Sequence, residues 1–132
     1  MTAASTLPLT VLIADDHDLF ATSLAQALGE FPDLEVVGRA ANGREAAALA
    51  ASLRPDVVLM DVGMPVRDGI LATREITETV EGTRVVVVSA MSDAETAARA
   101  RAAGAAAYVF KGCPFDDLLA AIREPVAAAR AA

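Results

Sequence analysis

The segment Val57-Val58-Leu59-Met60 is an uninterrupted apolar run, and the carboxylate of Asp61 follows it directly. A continuous apolar run of this length is typical of a parallel strand that is covered on both faces. Three other apolar runs also end at polar groups: residues 11–14 at Asp15 and Asp16, residues 85–88 at Ser89, and residues 106–110 at Lys111. Because the carboxyl ends of parallel strands lie along one edge of a sheet, we expect these five groups to share one crevice.

Apolar runs alternate with segments of helical periodicity along the whole chain, which predicts an α/β fold with a parallel sheet covered by helices on both faces. Strands are predicted at residues 9–14, 34–40, 55–61, 83–88 and 105–110. Helices are predicted at residues 18–30, 43–53, 70–80, from just after Ser92 to 104, and from 114 or 115 to 123, with Asn42 and Ser92 as cap residues. Pro125 is predicted to stop or kink the last helix, because it lacks an amide donor, and the alanine and arginine residues after it favour either a prolonged helix or the start of a linker.

The length of 132 residues fits one domain. No apolar run approaches the roughly 20 residues that span a bilayer, which predicts no membrane association. The N-terminal segment lacks the features of a secretory signal, and a single cysteine cannot form an internal disulfide, so we expect a cytoplasmic protein. The net charge of −7 and the absence of a basic run argue against direct binding of nucleic acid.

The acidic groups at the strand ends predict a metal site. Two carboxylates about 5 Å apart repel by roughly 3 kcal/mol at an effective dielectric near 20, and Asp61 adds to the repulsion between Asp15 and Asp16. Mg²⁺ is a hard ion that takes one or two carboxylates, water and phosphate oxygens, and it would offset this charge. The alternative is that Asp15 and Asp16 only cap the following helix.

Asp61 is the candidate nucleophile. A carboxylate beside a divalent ion and an ammonium group can attack phosphorus and form an aspartyl phosphate, with Lys111 and Ser89 contacting the phosphoryl oxygens. Taken singly, Ser89 could instead be a hydroxyl satisfied by the backbone, and Lys111 a solvated surface charge. Their joint position at the strand ends is what favours the phosphoryl site.

These motifs resemble the response-regulator receiver domain of two-component signalling over residues 9–123. The resemblance rests on Asp15-Asp16, on Asp61-x-x-Met-Pro-x-x-Asp-Gly, on Ser89-Ala90 and on Lys111, in the order that the family has them. It implies a flavodoxin-like three-layer sandwich whose five strands follow the order 2-1-3-4-5, with five helices. The segment from Asp15 to Phe20 and the ending from Asp117 to Arg123 look most like the LuxR/NarL-type branch, which is fused to a helix-turn-helix DNA-binding domain.

The resemblance also implies the roles of the site residues. Asp61 would be the phosphoacceptor, and Asp16, Asp61 and the carbonyl of Gly63 would bind Mg²⁺, with Asp15 assisting through water. Ser89 and Lys111 would contact the phosphoryl group, and Ser89 with Tyr108 would form the switch. For Tyr108, the alternative is an ordinary aromatic residue of a strand.

As a receiver, the chain would be a phosphorylation-activated switch rather than a metabolic enzyme. Its partners would be a sensor histidine kinase, a second copy in a possible homodimer, and DNA through a C-terminal effector domain that lies outside this chain. We expect an extension at residues 1–8, the receiver domain at 9–124, and an extension or linker at 125–132, in either a stand-alone receiver or an expressed portion of a longer protein.

Some positions depart from the common family pattern, and two other functions compete. Gly63, Met91 and Gly112 differ from the residues that are usual beside the site, which affects the expected lifetime of the phosphorylated state. The first alternative function is an interaction module that is not phosphorylated. The second is an aspartate-nucleophile phosphatase, which would normally carry a second aspartate at the position of Gly63.

The remaining polar residues have simpler interpretations. His17, the only histidine, is either a phosphodonor or an ordinary residue at a helix start. Cys113 is interpreted as structural or incidental. Arg67 and Asp68 are predicted to decorate their loop.

Overall fold

Five parallel strands form one sheet in the order β2-β1-β3-β4-β5. The structure is a computed structural model that describes residues 7–64, 68–90 and 93–131, with the backbone alone for residues 124–131. The strands are β1 (Leu9–Ala14), β2 (Leu34–Ala40), β3 (Val57–Met60), β4 (Arg84–Ser89) and β5 (Ala107–Phe110). The helices are α1 (Asp18–Gly29), α2 (Gly43–Leu53), α3 (Gly69–Thr79), α4 (Ala94–Ala102) and α5 (Phe115–Ala131). The predicted fold class and strand order are confirmed.

Alternate residues of the central strands belong to two separate apolar clusters. Val58 and Met60 of β3 pack in a cluster with residues of α2, α3 and α4, whereas Val57 and Leu59 pack in a second cluster with residues of α1 and α5. All four residues are at most 2% exposed. The continuous apolar run therefore follows from burial on both faces, and helices cover the sheet from both sides to give three layers.

Most predicted helix boundaries lie within two residues of the observed ones. Asn42 caps α2 as predicted, because its side chain accepts a hydrogen bond from the amide of Glu45. The cap of α4 is Asp93, which accepts from the amide of Thr96, whereas Ser92 was predicted. Ser92 itself lies outside the described residues.

The predicted end of the last helix at Arg123 is wrong. Helix α5 continues past Pro125 to Ala131. Proline disfavours a helix interior by about 3 kcal/mol relative to alanine, but the residues that follow are mostly alanine, which has the highest helix propensity. Among the described residues, no helix is both long and apolar enough to cross a bilayer.

Asp56 joins the ends of β1 and β3 where the two strands begin. Its Oδ2 accepts hydrogen bonds from the amide (2.9 Å) and the hydroxyl (3.1 Å) of Thr10, and its own amide donates to Thr10 Oγ1 at 3.0 Å. On the side of β4, the carbonyl of Asp56 accepts from the amide of Arg84 at 3.0 Å. Strand β3 begins at Val57, two residues later than predicted.

We expect Asp56→Ala to lower the free energy of unfolding by about 1–3 kcal/mol, because the amide of Thr10 would lose its acceptor in a half-buried position. Chemical denaturation measures this change. Asp33→Ala is the control, because it removes a carboxylate whose ion pair with Arg123 is half-exposed. Such exposed pairs contribute about 1 kcal/mol or less. Equal losses in the two variants would contradict the role given to Asp56.

Candidate functional site

The five predicted groups lie at the carboxyl edge of the sheet. The register pairs Ala14 of β1 with Met60 of β3, and the amide of Asp61 donates to the carbonyl of Ala14 at 2.9 Å. On the other side of β3, the amide of Lys111 donates to the carbonyl of Ser89 at 2.8 Å. Parallel pairing thus carries four strand ends, spread over nearly 100 residues of sequence, to the same edge.

Lys111 reaches two of the carboxylates. Its Nζ lies 2.8 Å from Oδ2 of Asp15 and 3.7 Å from Oδ2 of Asp61. Both aspartate side chains are nearly buried, with exposures of 4% and 6%, and the lysine side chain is 15% exposed. Of the alternatives for Lys111, the solvated surface charge is therefore wrong.

The two buried carboxylates have opposite pKa shifts. Burial raises the pKa of Asp61 above its ordinary value, and the nearby charges of Asp15 and Asp16 raise it further against the lowering effects of the Gly63 amide and Lys111. Burial also acts to raise the pKa of Asp15, but hydrogen bonds from Lys111 and His17 outweigh it and hold that pKa below its usual value. Asp15 is thus the stable partner of the ammonium group, and Asp61 is the poorly compensated carboxylate.

One oxygen of Asp61 has no hydrogen bond. Its Oδ1 accepts from the amide of Gly63 at 3.3 Å, while Oδ2 is buried and has no hydrogen-bond partner among the described residues. Oδ1 of Asp16, in a side chain that is 32% exposed, also has no hydrogen-bond partner in the part of the chain that the structure describes. Unsatisfied buried acceptors are rare in folded proteins, and here they mark where a cation or a donor would bind.

His17 lies within the acidic cluster. Its Nδ1 is 2.9 Å from Oδ1 of Asp15, 3.5 Å from Oδ1 of Asp16 and 3.8 Å from Oδ2 of Asp61. It is also the N-cap residue of α1, as expected of a residue at a helix start, although its side chain does not cap the helix. Asp15 and Asp16 are therefore not cap residues of α1. The sequence alone did not indicate that the ring would turn towards the carboxylates.

Two further residues of the site were missed in the sequence. Arg39 of β2 donates from Nη2 to the carbonyl of Asp15 at 3.0 Å and pairs with Asp18 at 2.7 Å, so it holds the loop between β1 and α1. Phe20 of α1 lies beneath Lys111, whose Nζ is 4.5 Å from the ring centroid. Phe20 ends the segment that resembles the LuxR/NarL-type branch, but that resemblance gave no contact with Lys111, and Arg39 belongs to no recognisable local motif.

Ser89 and Tyr108 lie on neighbouring strands. Ser89 is the last residue of β4 and is 1% exposed, which excludes an exposed hydroxyl. Tyr108 of β5 is partly buried and packs against the cluster that contains residues of α3 and α4. The alternative in which Tyr108 contributes to a strand surface is thus compatible with its position, and a switch role remains a proposal.

Other polar residues near the site have structural roles. Asp68 is the N-cap of α3 and accepts from the amide of Leu71 at 2.8 Å, so the interpretation as loop decoration is wrong. Cys113 is half-buried, and burial followed by the charge of Asp117 raises the pKa of its thiol, which disfavours the reactive thiolate. Arg67 and Met91 lie outside the described residues.

The donor set fits a divalent cation. One carboxylate oxygen each of Asp15, Asp16 and Asp61 and one ring nitrogen of His17 all lie within 4.8 Å of one another. Three carboxylates against one ammonium group leave an excess of two negative charges when His17 is neutral. An ion of charge +2 would offset this excess and bind the two oxygens that lack hydrogen bonds.

Comparison with known proteins decides the family. The chain matches the model of the response regulator receiver domain over residues 11–123. It belongs to this family. The receiver domain is 40% identical over 122 residues to the response regulator GacA of Pseudomonas aeruginosa, an alignment that covers 92% of the chain and 57% of GacA.

Two further relatives connect this receiver domain to the predicted branch. It is 36% identical over 120 residues to the nitrate/nitrite response regulator NarL of Escherichia coli, with 91% of the chain and 56% of NarL covered. The solved structure of a LuxR-family response regulator from Aurantimonas superimposes with a TM-score of 0.87 at 30% identity. The match covers 92% of the chain and 86% of that protein. The predicted resemblance is confirmed. The chain spans a little over half the length of the curated relatives named here.

Proposed function

We propose that this receiver domain is a signalling switch that accepts one phosphoryl group on Asp61 from a sensor histidine kinase. The observation that carries the proposal is the buried Asp61 carboxylate, whose Oδ2 lacks a hydrogen bond and lies 3.7 Å from Lys111 Nζ. A carboxylate oxygen attacks phosphorus as the bond between phosphorus and the donor nitrogen breaks, and that electron pair leaves with the donor histidine. The chain catalyses this transfer to itself, and later its own dephosphorylation, rather than turning over a metabolite.

Asp16, Asp61 and the carbonyl of Gly63 would hold Mg²⁺, with Asp15 assisting through water. The support is the excess of negative charge and the two oxygens without hydrogen bonds. When bound, the ion supplies positive charge to the phosphoryl oxygens. Lys111, whose Nζ lies 3.7 Å from Oδ2 of Asp61, would supply a second positive charge.

Phosphorylation would change the contacts of Lys111 and Ser89. The added oxygens carry roughly 1.5 to 2 negative charges and accept strong hydrogen bonds. Lys111, now nearer Asp15 than Asp61, would turn to the phosphoryl group, and the Ser89 hydroxyl would move towards it. Tyr108 lies beside this strand end on β5, and its ring would fill the space that Ser89 leaves.

This rearrangement would favour a second conformation of the surface formed by α4, β5 and α5, or of another helical face. A shift from 1:99 to 99:1 needs about 5.5 kcal/mol of differential stabilisation, of which a few charged hydrogen bonds supply a large part. The surface would bind a second copy of the chain or an effector domain. The similarity to NarL and to LuxR-family regulators supports a role in transcription control in the cytoplasm. The receiver domain would span residues 9–124 and an extension or linker residues 125–132, and a separate helix-turn-helix domain would bind the DNA.

The test is phosphoryl uptake from a small phosphodonor such as acetyl phosphate, measured by intact-protein mass spectrometry. With Mg²⁺ we expect one phosphoryl group per chain, and Asp61→Asn should abolish it because the nucleophilic oxygen is lost. Asp68→Asn is the matched control in the same loop, since asparagine also caps helices well and this variant should still be phosphorylated. No uptake by the unaltered protein would overturn the switch in favour of an unphosphorylated interaction module, and continuous release of phosphate over many equivalents would favour a phosphatase.

Lys111→Met should lower the free energy of unfolding by about 1–3 kcal/mol in EDTA, because Asp15 would lose its buried charged donor. Added Mg²⁺ should stabilise this variant more than the unaltered protein, since the site would then carry one more uncompensated negative charge. Thermal unfolding with EDTA and with Mg²⁺ measures both effects. Arg84→Met removes one exposed positive charge at the opposite end of β4 and should leave the response to Mg²⁺ unchanged. A smaller Mg²⁺ effect in Lys111→Met would contradict the assigned electrostatics.

A further inference from the structure

The imidazole of His17 lies in the cluster in a position suited to a metal ligand. The backbone amide of His17 donates to Oδ1 of Asp15 at 2.8 Å, and this turn brings Nδ1 of the same residue to 2.9 Å from the same oxygen. The side chain is 64% exposed, so it lies on the solvent side of the buried Asp15 and Asp61.

The distances fit coordination of one ion. An octahedral ion with bonds near 2.1 Å holds neighbouring ligand atoms about 3.0 Å apart and opposite ones about 4.2 Å apart. Nδ1 lies 3.5 and 3.8 Å from one oxygen each of Asp16 and Asp61, the two proposed carboxylate ligands, and both distances lie within this span. The buried Oδ2 of Asp61, which lacks a hydrogen bond, is an independent sign that a ligand belongs here.

The nitrogen donor changes which ions the site favours. Mg²⁺ prefers oxygen ligands and gains little from imidazole, whereas Co²⁺, Ni²⁺ and Zn²⁺ bind imidazole well. Carboxylates bind all of these ions. A site with oxygen ligands alone therefore distinguishes Mg²⁺ from the transition-metal ions less than a site that also has a nitrogen ligand. In the absence of an ion, Nδ1 can carry the proton and donate it to Oδ1 of Asp15 at 2.9 Å. To coordinate, the neutral ring must instead carry its proton on Nε2 and offer the lone pair of Nδ1, so the ion replaces this hydrogen bond.

We propose that Nδ1 of His17 is a metal ligand that makes this acidic pocket select first-row transition-metal ions of the Co²⁺, Ni²⁺ and Zn²⁺ type over Mg²⁺. The inference rests on the proposed metal site but not on phosphoryl transfer. An ion bound in this way would occupy the place proposed for Mg²⁺. The positive charge beside Asp61 would then come from whichever of these ions is bound.

The experiment compares Co²⁺ and Mg²⁺ binding by calorimetry, with the full chain produced without a histidine tag. Cys113→Ser serves as the background to remove the thiol. His17→Asn replaces the nitrogen ligand with an amide and keeps a favoured N-cap residue, so the variant should fold. We expect the Kd for Co²⁺ to rise about tenfold or more, and the Kd for Mg²⁺ to change by less than about threefold.

A second measurement reports on the ligand itself. Because His17 is the only histidine, the NMR signals of a labelled imidazole come from one residue. One equivalent of Co²⁺ should shift or broaden the ring signals strongly, and the shift should be lost in Asp61→Asn if the ion occupies the cluster. Glu30→Gln, at the other end of α1, should change neither Kd.

The outcomes separate this inference from the proposed function. If His17→Asn raises both constants by the same factor, or neither, the selectivity inference is overturned while Mg²⁺-dependent phosphorylation of Asp61 still stands. If neither ion binds the unaltered protein, the metal site fails and the inference fails with it. If Co²⁺ selectivity depends on His17 but no phosphoryl group is taken up, the inference stands and the switch is overturned.

Discussion

Asp61→Asn is expected to raise the thermal stability of this receiver domain at neutral pH in the absence of divalent ions. The substitution keeps the shape of the side chain and removes a buried charge that faces Asp15 and Asp16. An unsatisfied buried group costs about 1–3 kcal/mol, which corresponds to a rise in Tm of roughly 3–10 °C for a domain of this size. Loss of the candidate nucleophile would thus make the fold more stable, as expected where function requires an unfavourable charge.

The sign of the pH dependence follows from the raised pKa of Asp61. Between the ordinary aspartate pKa of 3.8 and the higher pKa of Asp61 in the folded state, the folded protein binds more protons than the unfolded chain. The contribution of Asp61 therefore becomes less favourable as pH rises through this window, and the full cost is present above the folded-state pKa. The advantage of Asp61→Asn should be complete at neutral pH and should disappear as pH falls below 3.8.

Thermal unfolding across pH measures this effect, with Asp93→Asn as the control. Asp93 is exposed, and the hydrogen bond from the Thr96 amide lowers its pKa, so its removal should not stabilise the protein. Mg²⁺ should reverse the order of the variants, because a ligand at 100 times its Kd adds about 2.7 kcal/mol only to the protein that binds it. A lower Tm for Asp61→Asn at neutral pH without Mg²⁺ would contradict the unfavourable charge.

Gly69→Ala is expected to cause the largest loss of stability among single-carbon additions at the site. A β carbon on Gly69, the first residue of α3, would lie 2.7 Å from Cα of Val62 and nearer still to the carbonyl oxygen of Asp61. Both atoms belong to the backbone, so no side chain can rotate away. The amide of Gly69 also donates to the carbonyl of Val62 at 3.2 Å, which holds the helix start against this loop.

We expect Gly69→Ala to lower the free energy of unfolding by about 3 kcal/mol, the upper end of the usual cost of overpacking. The rate of phosphorylation by a small phosphodonor should fall as well, because relief of the clash moves the backbone that carries Asp61. Denaturant unfolding and the phosphorylation rate measure the two effects. The control is Gly29→Ala at the end of α1, where an added β carbon has no atom within 4 Å and should be neutral or slightly stabilising. Equal stabilities of the two variants would show that the loop has room for the added carbon.

Gly69 illustrates why part of the site could not be predicted. Its glycine is visible in the sequence beside Asp68, but the reason for it is the approach of a helix start to the loop after β3. Asp68 was likewise visible, yet its role as a cap depends on where α3 begins. At Pro125 two local patterns disagreed, because proline disfavours a helix interior and the alanine-rich ending favours a helix, and only the structure shows that α5 continues.

The sequence by itself determined the class of fold, the order of helices and strands, and the five groups at the strand ends, because apolar periodicity and chain direction are local properties. Only the tertiary structure decided the partners within the pocket: Lys111 beside Asp15, Oδ2 of Asp61 without a hydrogen bond, and the ring of His17 among the carboxylates. The physical reason is that hydrogen bonds and charge interactions depend on small differences in the distances between side-chain atoms. Packing of helices against the sheet sets such differences, and the spacing of residues along the chain does not record them.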